Sequence, residues 1–185
     1  MEINNIGALP AHPLIVHIPV VLVPLATVGA LLMLIRPSWR ERFEIPTAVL
    51  AVIAAIATQL AIGSGEALEE RVEESKLVKA HAGIAEQARP WVFLFALVMV
   101  GVVVWDIVQK RRAAGSEAAP ETVRSRAAKV AVTLTAVGLI LGIGSSVQIY
   151  RTGHSGAKAT WHDTPQERQG GDHDGGGDGG DRDGG

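Results

Sequence analysis

The chain contains no cysteine. Disulfides, thiolate metal centres, iron–sulfur clusters and covalently attached c-type haem are therefore excluded within it, while the redox compartment stays open. Met1, Glu2, Ile3, Asn4 and Asn5 carry no positive side chain ahead of the first apolar run, so a cleavable signal peptide is not expected and that run should be retained. No nucleophile stands beside a base, and neither a phosphate-binding glycine loop nor a metal-hydrolase helix motif occurs. Enzymatic hydrolysis is not expected, and no catalytic residue is assigned. A stripe of basic and aromatic residues is missing as well, which argues against nucleic acid as a partner.

What the chain has in quantity is apolar sequence. Of its 185 residues 48% are hydrophobic, mean hydropathy is +0.24 despite a charged tail, and the net charge of −2 is sorted by loop. Four runs, at about 13–35, 46–66, 85–108 and 127–150, are long enough at about 1.5 Å per residue to cross a hydrocarbon core about 30 Å thick. The expected fold is all-α, a four-helix transmembrane bundle over residues 1–162, and the first partner is the lipid bilayer. Residues 163–185 are glycine and aspartate without apolar periodicity, so this tail is expected to be disordered.

The stretch A-H-P-L-I-V-H-I-P-V, Ala11 to Val20, opens the first span. Pro13 suits a first helical position, because its fixed φ is helical and its missing N–H would be unpaired there anyway. Pro19 and Pro24 lie inside the span and leave the carbonyls of Ile15 and Val20 without their helical donors. In lipid such carbonyls are tolerated where protein covers them, so the part of the span holding His17 is expected to face its neighbours. In the second span Thr58, Gln59, Ser64 and Glu66 gather towards the far end. Before the third, Leu77, His81, Ile84 and Ala88 share one helical face. The fourth has Gly138 and Gly142 four residues apart, then Gly144, Ser145 and Ser146, a pattern that lets backbones or a flat ligand come close.

Basic residues orient the spans. Arg36, Arg40, Arg42, Lys110, Arg111, Arg112, Arg124, Arg126 and Lys129 share one side, nine against the six (Arg71, Lys76, Lys79, Arg89, Arg151 and Lys158) on the other. The excess marks the cytoplasmic side, so a multi-pass protein of the cell membrane with both termini extracytoplasmic is expected. Trp39 and Trp105 then mark the inner interface, and Trp91, Tyr150 and Trp161 the outer. With this topology His12, His17, Glu66, His81 and His154 all lie near the outer face. His162 and His173 fall in or beside the tail.

With those residues in view, the chain resembles the bacterial domain of unknown function 2231 family over roughly Pro10 to Trp161. H-P-L-I-V-H-I-P is similar to that family's opening motif, with His12, Pro13, His17 and Pro19 in register. Gly63 to Glu66 resembles its glycine followed three residues later by an acid, His81 stands where it has a histidine leading into the third helix, and Gly153, Gly156, Ala157 and Trp161 resemble its close. His154 falls where the family pattern is open, and Asp163 stands where many members have histidine. The resemblance implies a four-helix membrane protein whose histidine-bearing plan is similar to that of small membrane b-type cytochromes.

Two functions follow as expectations. One is haem b binding for electron transfer or redox sensing, since haem iron takes imidazole axially and bundles build cofactor sites from facing helices. His17 and His81 are the expected pair, with His12 and His154 as further cofactor-binding candidates. His12 lies about 7.5 Å along the helix from His17 and is turned about 140° from it. The other is a non-catalytic accessory or assembly subunit whose histidines bond backbone and loop carboxylates. A narrower variant is a divalent-metal site made from His17, His81 and Glu66. A membrane redox partner or a second copy of the chain completes the expected partners.

Overall fold

The computed structural model describes residues 5–6, 9–70, 75–114 and 121–161. The tail expected to be disordered lies outside the described residues. A short antiparallel pair, β1 (Asn5–Ile6) and β2 (Leu9–Pro10), precedes five α-helices: α1 (Ala11–Ile15), α2 (His17–Ile35), α3 (Arg40–Glu69), α4 (Lys76–Ala114) and α5 (Glu121–Trp161). The stretch His12–Ile35, α3 with the 3₁₀ turn before it, α4 and α5 are each long and apolar enough to cross a membrane. The first span is interrupted at Val16, between α1 and α2. The cause is Pro19, which has no N–H to give to the Ile15 carbonyl, so the ladder restarts one residue later. Pro24 is accommodated inside α2.

Each long helix packs on its neighbours in sequence, and α5 returns to α2 to close the ring. The bundle buries mostly small residues at helical spacing, with Phe95 and Met99 as the bulky exceptions, and turns many large apolar ones outward. Val23, Ala26, Ala30 and Met33 of α2 meet Ala48, Ala51, Ala54 and Ala55 of α3 and Val92, Phe95, Met99 and Val102 of α4. Leu97 and Ile140 are 67% and 66% exposed, alongside Val21, Ile56 and Ile143. A soluble protein hides such residues. Apolar side chains outside and close-approaching helices inside fit a lipid solvent, where packing rather than water exclusion holds helices together.

The glycines of α5 are used for that packing. A Cβ on Gly138 would lie 2.8 Å from Met99 Sδ, one on Gly142 would lie 2.6 Å from Thr27 Oγ1, and one on Gly144 would meet the Trp91 ring. Side chains of α2 and α4 thus fill the space that the sequence left open to a flat ligand. At the Arg40 end of the bundle, Arg40 grips Asp106 with two hydrogen bonds, Nε to Oδ2 at 2.8 Å and Nη2 to Oδ1 at 3.0 Å. Trp105 donates its indole N–H to the Ala127 carbonyl at 3.2 Å, tying α4 to α5 there.

Candidate functional site

At the opposite end, the first span's opening residues meet the far ends of α3, α4 and α5. Ile15 is buried against Ala61, which lays α1 along α3. His12 then points its Nδ1 at the Ala61 carbonyl, 2.9 Å away, with Ser64 Oγ at 3.3 Å. A carbonyl only accepts, so Nδ1 carries a proton, which leaves Nε2 as the nitrogen that could offer a lone pair.

His81 is fixed in the same sense by α5. It sits half-buried on the face that also holds Leu77, Ile84 and the buried Ala88, as the helical spacing predicts. Its Nδ1 lies 3.0 Å from Ser155 Oγ, whose own proton goes to the Thr152 carbonyl at 2.9 Å. Ser155 can therefore accept from Nδ1–H, and the Thr152 backbone also lies within hydrogen-bonding reach of the His81 ring.

The two rings face each other across the bundle. Their centres are 6.4 Å apart and their planes cross at 82°. A glycine flanks each ring: a Cβ on Gly65 would lie 3.0 Å from His12 Cε1, and a Cβ on Gly156 would lie 3.0 Å from His81 Cε1. Gly63 and Gly153, which belong to the same sequence motifs, have nothing within 4 Å of a built Cβ.

Three other candidates are not brought to this pair. His17 is exposed, and its Nδ1 is engaged by the Pro13 carbonyl of the preceding turn at 2.6 Å. The ring beside His81 is thus that of His12 and not that of His17. Ile15 and Pro19 are buried, and a residue midway between two positions four apart points to the other side of the helix. His154 is exposed and stacks on Tyr150, centres 6.2 Å apart and planes within 10°. Glu66 is exposed on α3. Among the described residues no three His, Cys, Asp or Glu side chains gather as a metal site would require, so the grouping of His17, His81 and Glu66 is not assembled. Ser155 and Gly65 were not singled out from the sequence. Their signal was there, a small or hydroxylated residue within two positions of a motif glycine.

Residues 8–166 match the family described as "Predicted membrane protein (DUF2231)". No curated protein and no solved structure matches the chain.

Proposed function

The chain belongs to the DUF2231 family of predicted membrane proteins, and from that premise we propose that its bundle binds haem b through His12 and His81, for one-electron transfer or redox sensing. The observation that carries this reading is the pair itself, two imidazoles 6.4 Å apart with Nδ1 engaged on each. Rings this close could each offer a nitrogen to one metal ion held between them, at the usual metal–nitrogen distance of about 2 Å. Haem ligands are commonly oriented this way, one nitrogen bonded to a protein acceptor and the other left for iron.

The number of protein donors favours an iron porphyrin over a bare ion. A bound transition-metal ion asks for three or four protein ligands, whereas a porphyrin supplies four nitrogens and needs only axial ones. Gly65 and Gly156 keep side-chain bulk off both rings, as a flat group beside them requires. When bound, haem supplies a one-electron couple. The chain's own part is to hold each imidazole by its Nδ1, with the Ala61 carbonyl and Ser155 as the acceptors. The excess of basic residues at the Arg40 end supports an extracytoplasmic position for the histidine end and for both termini. An electron partner would then dock from that side, as a membrane redox protein or a second copy of the chain.

A second reading is supported by the same hydrogen bonds. His12 ties α1 to α3 and His81 ties α4 to α5, which is also what a purely structural histidine in an accessory subunit would do. One measurement separates them. Protein expressed with ample haem and purified in detergent should show a Soret band and, after dithionite, a b-type spectrum. His12→Ala and His81→Ala should abolish it, while His17→Ala and His154→Ala should retain it. Wild-type protein without a Soret band would overturn the haem reading and leave the structural one.

A further inference from the structure

Five charged side chains meet at the Arg40 end of the bundle, and their charges do not balance. Arg40 holds Asp106 in the two-bond grip described above, and Lys110 lies 3.2 Å from Glu41 Oε1 and 3.9 Å from Glu44 Oε1. Three carboxyl groups thus share two cations. The exposed Glu41 keeps its charge solvated by water. Glu44 cannot, being only 4% exposed, and its Oε2 is buried with no hydrogen-bond partner. Arg40 and Glu44 lie one turn apart on α3, Asp106 and Lys110 one turn apart on α4, and the cross-pairs Arg40–Asp106 and Lys110–Glu44 set the Glu44 and Asp106 carboxyls side by side, with these two cations as the charges acting on them.

We propose that Glu44 and Asp106 form a proton-binding dyad, in which one proton taken from water sits on Glu44 Oε2 and is donated in a hydrogen bond to the Asp106 carboxylate. This supplies the missing positive charge and gives the buried Oε2 a partner. Two carboxylates this close in a shielded site do not both stay ionised. A proton fits where a metal ion does not. A hard cation takes six or more oxygen ligands, and here a guanidinium and an ammonium already occupy the sides of the two carboxyls. Asp106 is the member that meets solvent. It lines a cleft of about 300 Å³ between α2, α4 and α5, together with Arg40, Trp105, Gln109, Lys110 and Thr135. The proton therefore exchanges through the cleft by way of Asp106, while Glu44 behind it stores it.

Infrared spectroscopy of the full chain in detergent, titrated across neutral pH in H₂O and D₂O, tests this directly. The wild type should show a protonated-carboxyl C=O band at pH 7 that shifts in D₂O and on ¹³C-glutamate labelling. That band should vanish in Glu44→Gln, which copies the shape of the protonated acid. The labelling result on the wild type places the proton on a glutamate, its loss in Glu44→Gln assigns it, and Asp106→Asn, which keeps Glu44 but changes its partner, should move the band. No such band in the wild type, a band insensitive to ¹³C-glutamate, or one that survives Glu44→Gln would overturn the dyad.

Discussion

The ring of His12 donates from Nδ1 to the carbonyl of Ala61 at 2.9 Å, and this one bond decides which nitrogen of the ring is available. His81 reaches the same state by a different acceptor, Ser155. Both should therefore be found as the Nδ1–H tautomer in cofactor-free protein. Nitrogen-15 spectra of histidine-labelled protein at mildly alkaline pH check this, with assignment by His12→Gln and His81→Gln. A protonated Nε2 at either position would remove the geometric basis of the proposed ligation.

Ser155→Ala leaves the His81 ring in place but takes away its acceptor. Losing an outer partner of a metal-bound histidine typically lowers affinity about 10–100-fold. Haem titration of the variant should show a loss in that range, with circular dichroism unchanged. Gly156→Val should lower affinity too, by pressing a side chain onto the ring. Gly153→Val, with nothing near its built Cβ, should not.

Arg40→Ala should cost about 1–3 kcal/mol, because it leaves the partly buried Asp106 carboxylate without its two donors. Arg40→Lys should recover part of this and not all, since an ammonium cannot reproduce the two-bond fork. Denaturant unfolding in mixed micelles, read by tryptophan fluorescence, measures both. Equal stability of Arg40→Ala and the wild type would show that the pair carries little of the fold.

Gly142→Leu should overpack the bundle where Phe95 and Thr27 meet α5, destabilising it by about 1–3 kcal/mol or more. Gly101→Ala is the matched control, because nothing lies within 4 Å of its built Cβ. Its unfolding midpoint should be unchanged or slightly raised.

Much of this architecture is legible in the sequence because membrane helices write themselves in long apolar runs and proline breaks are local. The helix break follows from Pro19, and the half-buried face of His81 follows from the spacing of Leu77, Ile84 and Ala88. Which histidine meets which was not legible, because the pairing depends on how helices are staggered and rotated about their axes. The rotation of the first span was nonetheless recoverable: once Ile15 and Pro19 are taken as its buried face, His17 must turn away. The Arg40–Asp106 grip was missed for another reason. Asp106 follows Trp105 at the edge of a run of valines and looks like an ordinary helix stop, yet an acid at the end of a span needs a partner. Glu44, hidden among the arginines of a turn, gave no periodic signal of its own.

The break at Val16 bears on how the protein is made. His12 is carried by α1, a helix of only 5 residues, far too short to persist without outside support. Its support comes from Ile15 and Val16 packing on Ala61 and from the His12 bond to the same residue. Ala61 lies near the end of α3, so the chain must be synthesised through two spans before its first histidine has anything to hold. This segment thus takes its shape only after α3 has followed it, and a stalled chain lacking α3 would present the His12 imidazole on an unformed stretch.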